Sequence, residues 1–397
     1  MAKKSLNKNL HFAKNSKNDE FYTQYDDIQK EIEAYLEYNP DVFRGKVVYC
    51  NCDDPYESNF FRYFVLNFKK LGLKQLITTS YKPSPVANTQ LELFGDNKIL
   101  KKSKGRPKVT ANKFIINKVH DMDGELNLRD IAKQLKANKH NEWTPLEGDG
   151  DFRSDECIEL LKQSDIVVTN PPFSLFREYV KQLFDYDKKF VIIGNMNAIT
   201  YKEIFPLIKN NELWLGNGFH AGNAYFFTPN TREFASGVYD TKTGLVKFRN
   251  VCWLTNLDHG RRHQPLPLMT MKENLKYSKH KELRGKKAYD KYDNYNAIEV
   301  PFTDSIPSDY RGVMGVPNSF LNKYSPEQFE IVGMCENEDL YKLKTKVYTT
   351  AECKKAYLAK FGKKGTYDLN ASGVVYRDGL REKVYQRVLI KHKRKSK

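Results

Sequence analysis

Asp165-Ile166-Val167-Val168-Thr169-Asn170-Pro171-Pro172-Phe173 is the stretch on which the fold turns. Its first five residues are mostly apolar and β-branched and are closed by a turn, so they read as a strand buried on both faces. Such strands belong to parallel sheets covered by helices. The tetrapeptide Asn170 to Phe173 then falls at the carboxyl end of the strand, the edge where open α/β sheets bind ligands. By itself it also fits a plain strand-closing turn.

The same pattern recurs on either side. A helix over Asp26 to Tyr38 is predicted from Ile28, Ile32, Tyr35 and Leu36, and Gly45 precedes a strand over Lys46 to Cys50. A helix over Asn59 to Leu71 leads to a strand over Lys74 to Thr79. A helix over Leu175 to Phe184 leads to a strand over Phe190 to Gly194. Strands and helices alternating in this way predict an α/β fold with a doubly wound, mostly parallel sheet. From about Tyr225 the sequence changes to short aromatic segments broken by Pro and Gly. We therefore expect a first domain over residues 1–230, carrying a basic insertion at about 83–118, and a basic, mixed α+β domain over residues 231–397.

Composition bounds the partner. The 397 residues include 66 Lys and Arg against 49 Asp and Glu, a formal charge of +17, which favours a polyanion over a membrane. Aromatic residues make up 13%, too many for a disordered polycation. No apolar run approaches the length of a membrane span and no leader-like segment opens the chain, so a cytoplasmic location is expected. The six cysteines form no CxxC pair and have no matching His pair, which supports neither a disulfide framework nor a metal site.

The corner at Asn170 has a chemical reading of its own. An amino group conjugated to a purine ring is a poor nucleophile, and it improves when two acceptors take its hydrogens. The Asn170 amide oxygen and the Pro171 carbonyl are candidate acceptors. Pro171 and Pro172 stiffen the turn so that no ordering is needed at the moment of reaction. Phe173 offers a flat face for an extruded base.

Four blocks, in this order, carry a family likeness. They are Asp19-Glu20-Phe21-Tyr22-Thr23-Gln24; Val47 to Pro55 with Ser58-Asn59-Phe60-Phe61; Gly148-Asp149-Gly150-Asp151-Phe152-Arg153-Ser154; and Asn170 to Phe173. With them the chain resembles the EcoRI-type adenine-specific DNA methyltransferases. The resemblance implies the Rossmann-like fold of S-adenosylmethionine-dependent methyltransferases, S-adenosyl-L-methionine as donor, and the N6 amine of an adenine flipped from double-stranded DNA as acceptor. It also implies restriction-modification chemistry. It places Tyr22 and Thr23 against the methionine part of the donor, and the turn holding Cys50, Asn51, Asp53 and Asp54 against its middle. That turn lacks the usual glycines, so Asn51 or Asp53 is expected to take the left-handed φ. The second strand ends Thr78-Thr79-Ser80-Tyr81, without the acidic residue that commonly holds a ribose. Asp149 or Asp151 is expected to accept from the donor's adenine, with Phe152 stacking on the ring.

Several basic segments are candidates for DNA contact. Residues 98–118 hold eight Lys and Arg and no acidic residue. Within them Lys104, Arg106 and Lys108 resemble an AT-hook core. Gln90-Leu91-Glu92-Leu93-Phe94 resembles a docking peptide for the replicative sliding clamp, and the same five residues also fit an apolar patch packing on its own domain. Residues 251–397 carry 29 Lys and Arg against 17 Asp and Glu. Arg261 and Arg262, flanked by His259 and His263, are candidate DNA contacts. Trp253, Tyr277, Tyr292, Tyr295, Tyr367 and Tyr376 are interleaved with this charge, and Lys391 to Lys395 reads as a mobile tail. Phe219 or Tyr225 is a candidate second wall for the base, while Phe226 and Phe227 read as core. Two other readings stay open at this stage: a methyltransferase acting on RNA or a protein glutamine, and a DNA-binding protein with a decayed donor pocket.

Overall fold

A computed structural model of the chain describes residues 22–52, 58–81, 111–119, 138–219, 223–227 and 238–393. Asp53, Asp54, Gln90 to Phe94, Lys104, Arg106 and Lys108 lie outside them. The described chain forms two compact units, residues 1–205 with 213–259 and residues 206–212 with 260–397.

In the first unit the strands in chain order are β1 (Tyr22–Thr23), β2 (Val47–Cys50), β3 (Gln75–Thr79), β4 (Asn112–Ile116), β5 (Glu142–Pro145), β6 (Ile166–Thr169), β7 (Lys189–Asn195), β8 (Trp214–Leu215), β9 (Asn223–Phe227), β10 (Tyr239–Asp240), β11 (Leu245–Arg249) and β12 (Val251–Thr255). Eight of them make one sheet in the order β5-β4-β3-β2-β6-β7-β12-β8. The four central strands, β3, β2, β6 and β7, run parallel, as their unbroken apolar runs require. Every residue of β2 and β6 is buried. Helices Asn59–Leu66 and Phe176–Asp185 make the crossovers from β2 to β3 and from β6 to β7. The chain leaves β2 toward β3 on one side and returns to β6 on the other, so the topological switch point lies between β2 and β6.

The flanks of this sheet are antiparallel, with β4 and β5 at one edge and β12 and β8 at the other. β4 falls at the end of the segment read from sequence as an insertion: residues 112–116 are a strand paired with β3. β12 explains why the first unit runs past the expected break at 230. Its Trp253 pairs with Ile193 of β7, lies edge-on to Phe60 and is fully buried. Trp253 is therefore core and not a DNA-facing aromatic.

A second sheet, β1-β9-β11-β10, lays its inner face on the same core. Along β9, Ala224 and Phe226 are buried while Tyr225 and Phe227 are exposed. Consecutive strand residues point to opposite faces, so Phe226 and Phe227 cannot both be core, and Phe227 is not. Glu31 is fully buried within helix Tyr25–Tyr38. Its carboxylate accepts from the Tyr35 hydroxyl at 2.8 Å and from the backbone N–H groups of Asn217 and Gly218 at 2.9 and 3.0 Å. Three donors satisfy a carboxylate that would otherwise be costly to bury, and they fix the chain just ahead of Phe219. Phe219 stacks on Trp253 at 5.4 Å between ring centroids.

The second unit contains β13 (Ala297–Glu299), β14 (Val313–Pro317), β15 (Phe329–Met334), β16 (Val374–Arg377), β17 (Leu380–Lys383) and β18 (Arg387–His392), with helices Met271–Tyr277 and Thr350–Phe361. One sheet has the order β13-β14-β18-β15, and β16 and β17 form a hairpin. Glu299 and Arg387 make a buried ion pair at 2.6 Å, and the Tyr292 hydroxyl also donates to Glu299. Tyr292 and Tyr295 are thereby core residues, whereas Tyr277 and Tyr376 are exposed. Lys391 and His392 are not part of a tail. They end β18, where Lys391 pairs with Glu330 at 3.1 Å and a His392 ring nitrogen lies 2.8 Å from the Pro307 carbonyl.

Candidate active site

The described residues among those read from sequence as a catalytic site gather at the carboxyl ends of β2, β3 and β6. β2 ends at the fully buried Cys50, and Asn51 follows, also buried. The Asn51 backbone carbonyl accepts from the Thr169 hydroxyl at the end of β6, and its side-chain carbonyl accepts from the Tyr179 hydroxyl. One asparagine thus joins the ends of the two strands that border the switch point to the helix behind them. Cys52 takes the left-handed conformation, with φ of +64°. The sequence assigned that strain to Asn51 or Asp53. Asn51 does not have a positive φ, Asp53 lies outside the described residues, and it is Cys52 that takes the left-handed turn.

Asn170 follows Thr169 directly, and its amide oxygen is shielded from solvent. Pro171 is buried, and Pro172 sits at φ −60° and ψ 121°, the extended geometry a proline ring favours. The Pro172 carbonyl accepts from the Leu175 N–H at 3.0 Å. No described donor takes the Pro171 carbonyl. Phe173 is half-buried and packs on the main core.

The Gly148–Ser154 loop lies beside the end of β3. Gly150 has φ of +76°, and a Cβ there would sit 2.0 Å from the Ser80 carbonyl oxygen, so only glycine fits. Asp151 is committed to Arg153, whose guanidinium reaches it at 2.7 Å and reaches Glu178 at 3.0 Å. Hydrogen bonds from Arg153 hold the Asp151 carboxyl below its ordinary pKa. Asp149 is exposed, and one of its oxygens accepts from the Asp151 N–H. Of the two aspartates, it is Asp149 that keeps an oxygen uncommitted among the described residues. Phe152 is buried, edge-on to Tyr179, with the Arg153 guanidinium 5.4 Å from its ring centre. One side of the ring expected to stack on a purine is thus already filled. Tyr81, one of the hydroxyl residues at the end of the second strand, sits in the field of both aspartates; burial and their charges raise its hydroxyl pKa.

Thr23 completes the site from β1. Its carbonyl accepts from the Asn59 side chain at 2.7 Å, which ties it to the start of the helix after β2. Its hydroxyl is buried with no hydrogen-bond partner among the described residues. Ser58 caps that helix by accepting from Phe60 and Phe61.

A family model described as "Adenine-specific methyltransferase EcoRI" matches residues 9–393. The chain belongs to this family. The methyltransferase is 46% identical over 335 residues to the type II methyltransferase M.EcoRI of Escherichia coli, a match spanning 84% of this chain and 90% of that one. It is 36% identical over 342 residues to the type II methyltransferase M.MpnI of Mycoplasma pneumoniae, spanning 85% and 89%. It is 35% identical over 334 residues to M.MgeORF184P of Mycoplasma genitalium, spanning 82% and 86%. No solved structure matches the chain. The protein is a site-specific DNA adenine methyltransferase.

The DNA contacts expected in the methyltransferase's second unit are redistributed. Arg262 is buried, and its guanidinium bonds the Asn211 side chain at 2.5 Å; it packs the interior of its unit and does not face a duplex. His259 is buried too, edge-on to Tyr35, with a ring nitrogen 3.0 Å from the Leu215 carbonyl. His263 lies 2.5 Å from Glu327. Arg261 is half-buried and remains a candidate. Arg261, Arg262 and His263 look like one surface in sequence. The 3₁₀ turn over Gly260–His263 points its members in different directions. Among the described residues no helix is long and apolar enough to cross a membrane.

Proposed function

We propose that this methyltransferase carries a methyl group from S-adenosyl-L-methionine to the N6 amine of an adenine flipped out of double-stranded DNA. Three features of the site fit the donor. The buried Thr23 hydroxyl has no partner among the described residues, Cys52 makes a tight left-handed turn at the end of β2, and Gly150 lets its loop close directly onto the Ser80 backbone. Thr23, the Asn51-Cys52 turn and Asp149 would hold it, with Tyr22, Asp53 and Asp54 beside them. When bound, the donor supplies an electrophilic methyl on a sulfonium.

The observation that carries the reading is the state of the Asn170 corner. It directly follows β6 at the switch point, and the Pro171 carbonyl has no described donor while that of Pro172 is already engaged. Asn170 and Pro171 therefore accept the amine hydrogens and draw the nitrogen lone pair out of conjugation. The two prolines hold both acceptors before the base arrives, so the gain falls on the transition state. Phe173, half-buried, walls the base on one side. The residues past the catalytic sheet, with their excess of Lys and Arg, supply target recognition. Lys104, Arg106, Lys108 and Arg261 add attraction to phosphates. The type II relatives fit a cytoplasmic enzyme.

Asn170→Ala is the test. Donor and DNA binding, measured by calorimetry and anisotropy, are expected to persist while turnover drops by about 100-fold or more. Near-normal turnover would overturn the assignment.

A further inference from the structure

Helix Thr350–Phe361 is closed at both ends by its own sequence. Thr349 and Glu352 form a capping box, and Gly362 ends the helix in the left-handed conformation at φ of +65°. Only Cys353 and Ala356 are buried, both small, against Tyr348, Leu369 and Val374. Most of the helix circumference therefore faces outward.

That outward face is not an ordinary solvated one. Ala351, Lys354, Lys355 and Leu358, at spacings of three, four and seven residues, form one exposed stripe on the side opposite the buried pair. Leu358 is 51% exposed and Phe361 49%, where a solvated helix would carry polar groups. No described carboxylate pairs with Lys354, Lys355, Lys363 or Lys364, although Lys360 on the flank is paired with Glu382 at 3.0 Å. The stripe thus offers apolar methyl groups at its centre and unpaired cations beside them and just past the C-cap.

We propose that this face enters the major groove of the duplex and reads part of the recognition site. The proposal rests on the DNA reading given above. A helix is about 10–12 Å across with its side chains, and the B-DNA major groove is about 12 Å wide. Ala351 and Leu358 supply apolar contact of the kind that distinguishes a thymine methyl from a cytosine edge, and Lys354 and Lys355 reach guanine acceptors or the flanking phosphates. Cys353 and Ala356 hold the helix on its unit, and the rings of Tyr357, Phe361 and Tyr367, with centroids 4.6 to 6.0 Å apart, brace its last turn.

The test uses the full chain and the duplex that the wild-type enzyme is found to methylate, together with duplexes altered at one base pair. Leu358→Ala and Leu358→Gln are expected to lower the ratio of affinities for the correct and altered duplexes by about fivefold or more at one or two positions of the site. Lys354→Ala with Lys355→Ala is expected to flatten the dependence of log affinity on log salt by about 1 to 2. All the substituted residues are exposed, so melting temperature and donor binding serve as controls that the variants fold. The affinity ratio decides the matter. If it is unchanged in both Leu358 variants, the groove reading is wrong, whether or not the salt dependence changed. Methylation of DNA adenine by the wild-type enzyme is scored separately, so failure of the helix proposal leaves the assigned activity standing.

Discussion

The Asn59 amide nitrogen donates to the Thr23 carbonyl at 2.7 Å, joining residues 36 positions apart in the chain. It is a direct bond between two sequence blocks that carry the family likeness. β1 has two residues and pairs with β9 alone among the described strands, so this bond supplies much of what holds Thr23 in place. Asn59→Ala is expected to weaken donor binding by up to about tenfold, the effect of losing one hydrogen bond, while Asn59→Gln should not restore it because the longer side chain overshoots. Calorimetry with the donor checks this; wild-type affinity in the alanine variant would show that Thr23 is held by other means.

Gly150→Ala should be far more damaging. The new Cβ would fall 2.0 Å from the Ser80 carbonyl oxygen, at a φ of +76° that side chains disfavour, and backbone must move to relieve it. We expect a loss of about 2 kcal/mol or more in stability and an undetectable donor complex, because the loop carrying Asp149 shifts from the end of β3. Thermal melts and donor titration measure the two effects.

Tyr179→Phe removes one hydroxyl and leaves the buried Asn51 side-chain carbonyl without its donor. An unsatisfied buried acceptor costs about 1–3 kcal/mol. The variant should melt several degrees lower, and turnover should fall with it because the same asparagine spans the ends of β2 and β6. An unchanged melting temperature would show that water or another group replaces the hydroxyl.

Arg153 keeps the Asp151 carboxyl below its ordinary range, which gives a pH dependence with a definite sign. The pair contributes stability that is fully present above the ordinary aspartate pKa of about 4, and it is lost as pH falls through the lowered folded value. Arg153→Gln removes the guanidinium's share of that contribution and leaves the hydrogen bond from the backbone N–H of residue 153. The melting temperatures of wild type and variant should therefore differ at pH 7 and converge as the pH falls below about 3. Both partners are partly exposed, so the difference at neutral pH should be modest.

Local sequence carried the strands and the corner because they depend on local physics. β2 and β6 are short runs of buried apolar residues, and Asn170 to Pro172 is a turn whose stiffness lies in its proline rings. The family likeness, and not local rules, singled out the Gly148–Ser154 loop and the need for another residue after β2 to replace the missing glycines. Neither pointed to Cys52, which lies next to an asparagine whose two carbonyls are engaged by Thr169 and Tyr179, more than 100 residues away.

What the sequence by itself determined was the parallel centre of the sheet and the family. The tertiary structure alone decided which members of each charged or aromatic cluster face outward. Trp253 became core because β12 completes the central sheet, Arg262 became interior because Asn211 receives it, and the Asp151 carboxylate became engaged because Arg153 claims it. Exposure depends on what packs against a residue from distant parts of the chain, and composition along a segment does not encode that. A strand's alternation or a proline's fixed φ, by contrast, is set by the residue and its immediate neighbours.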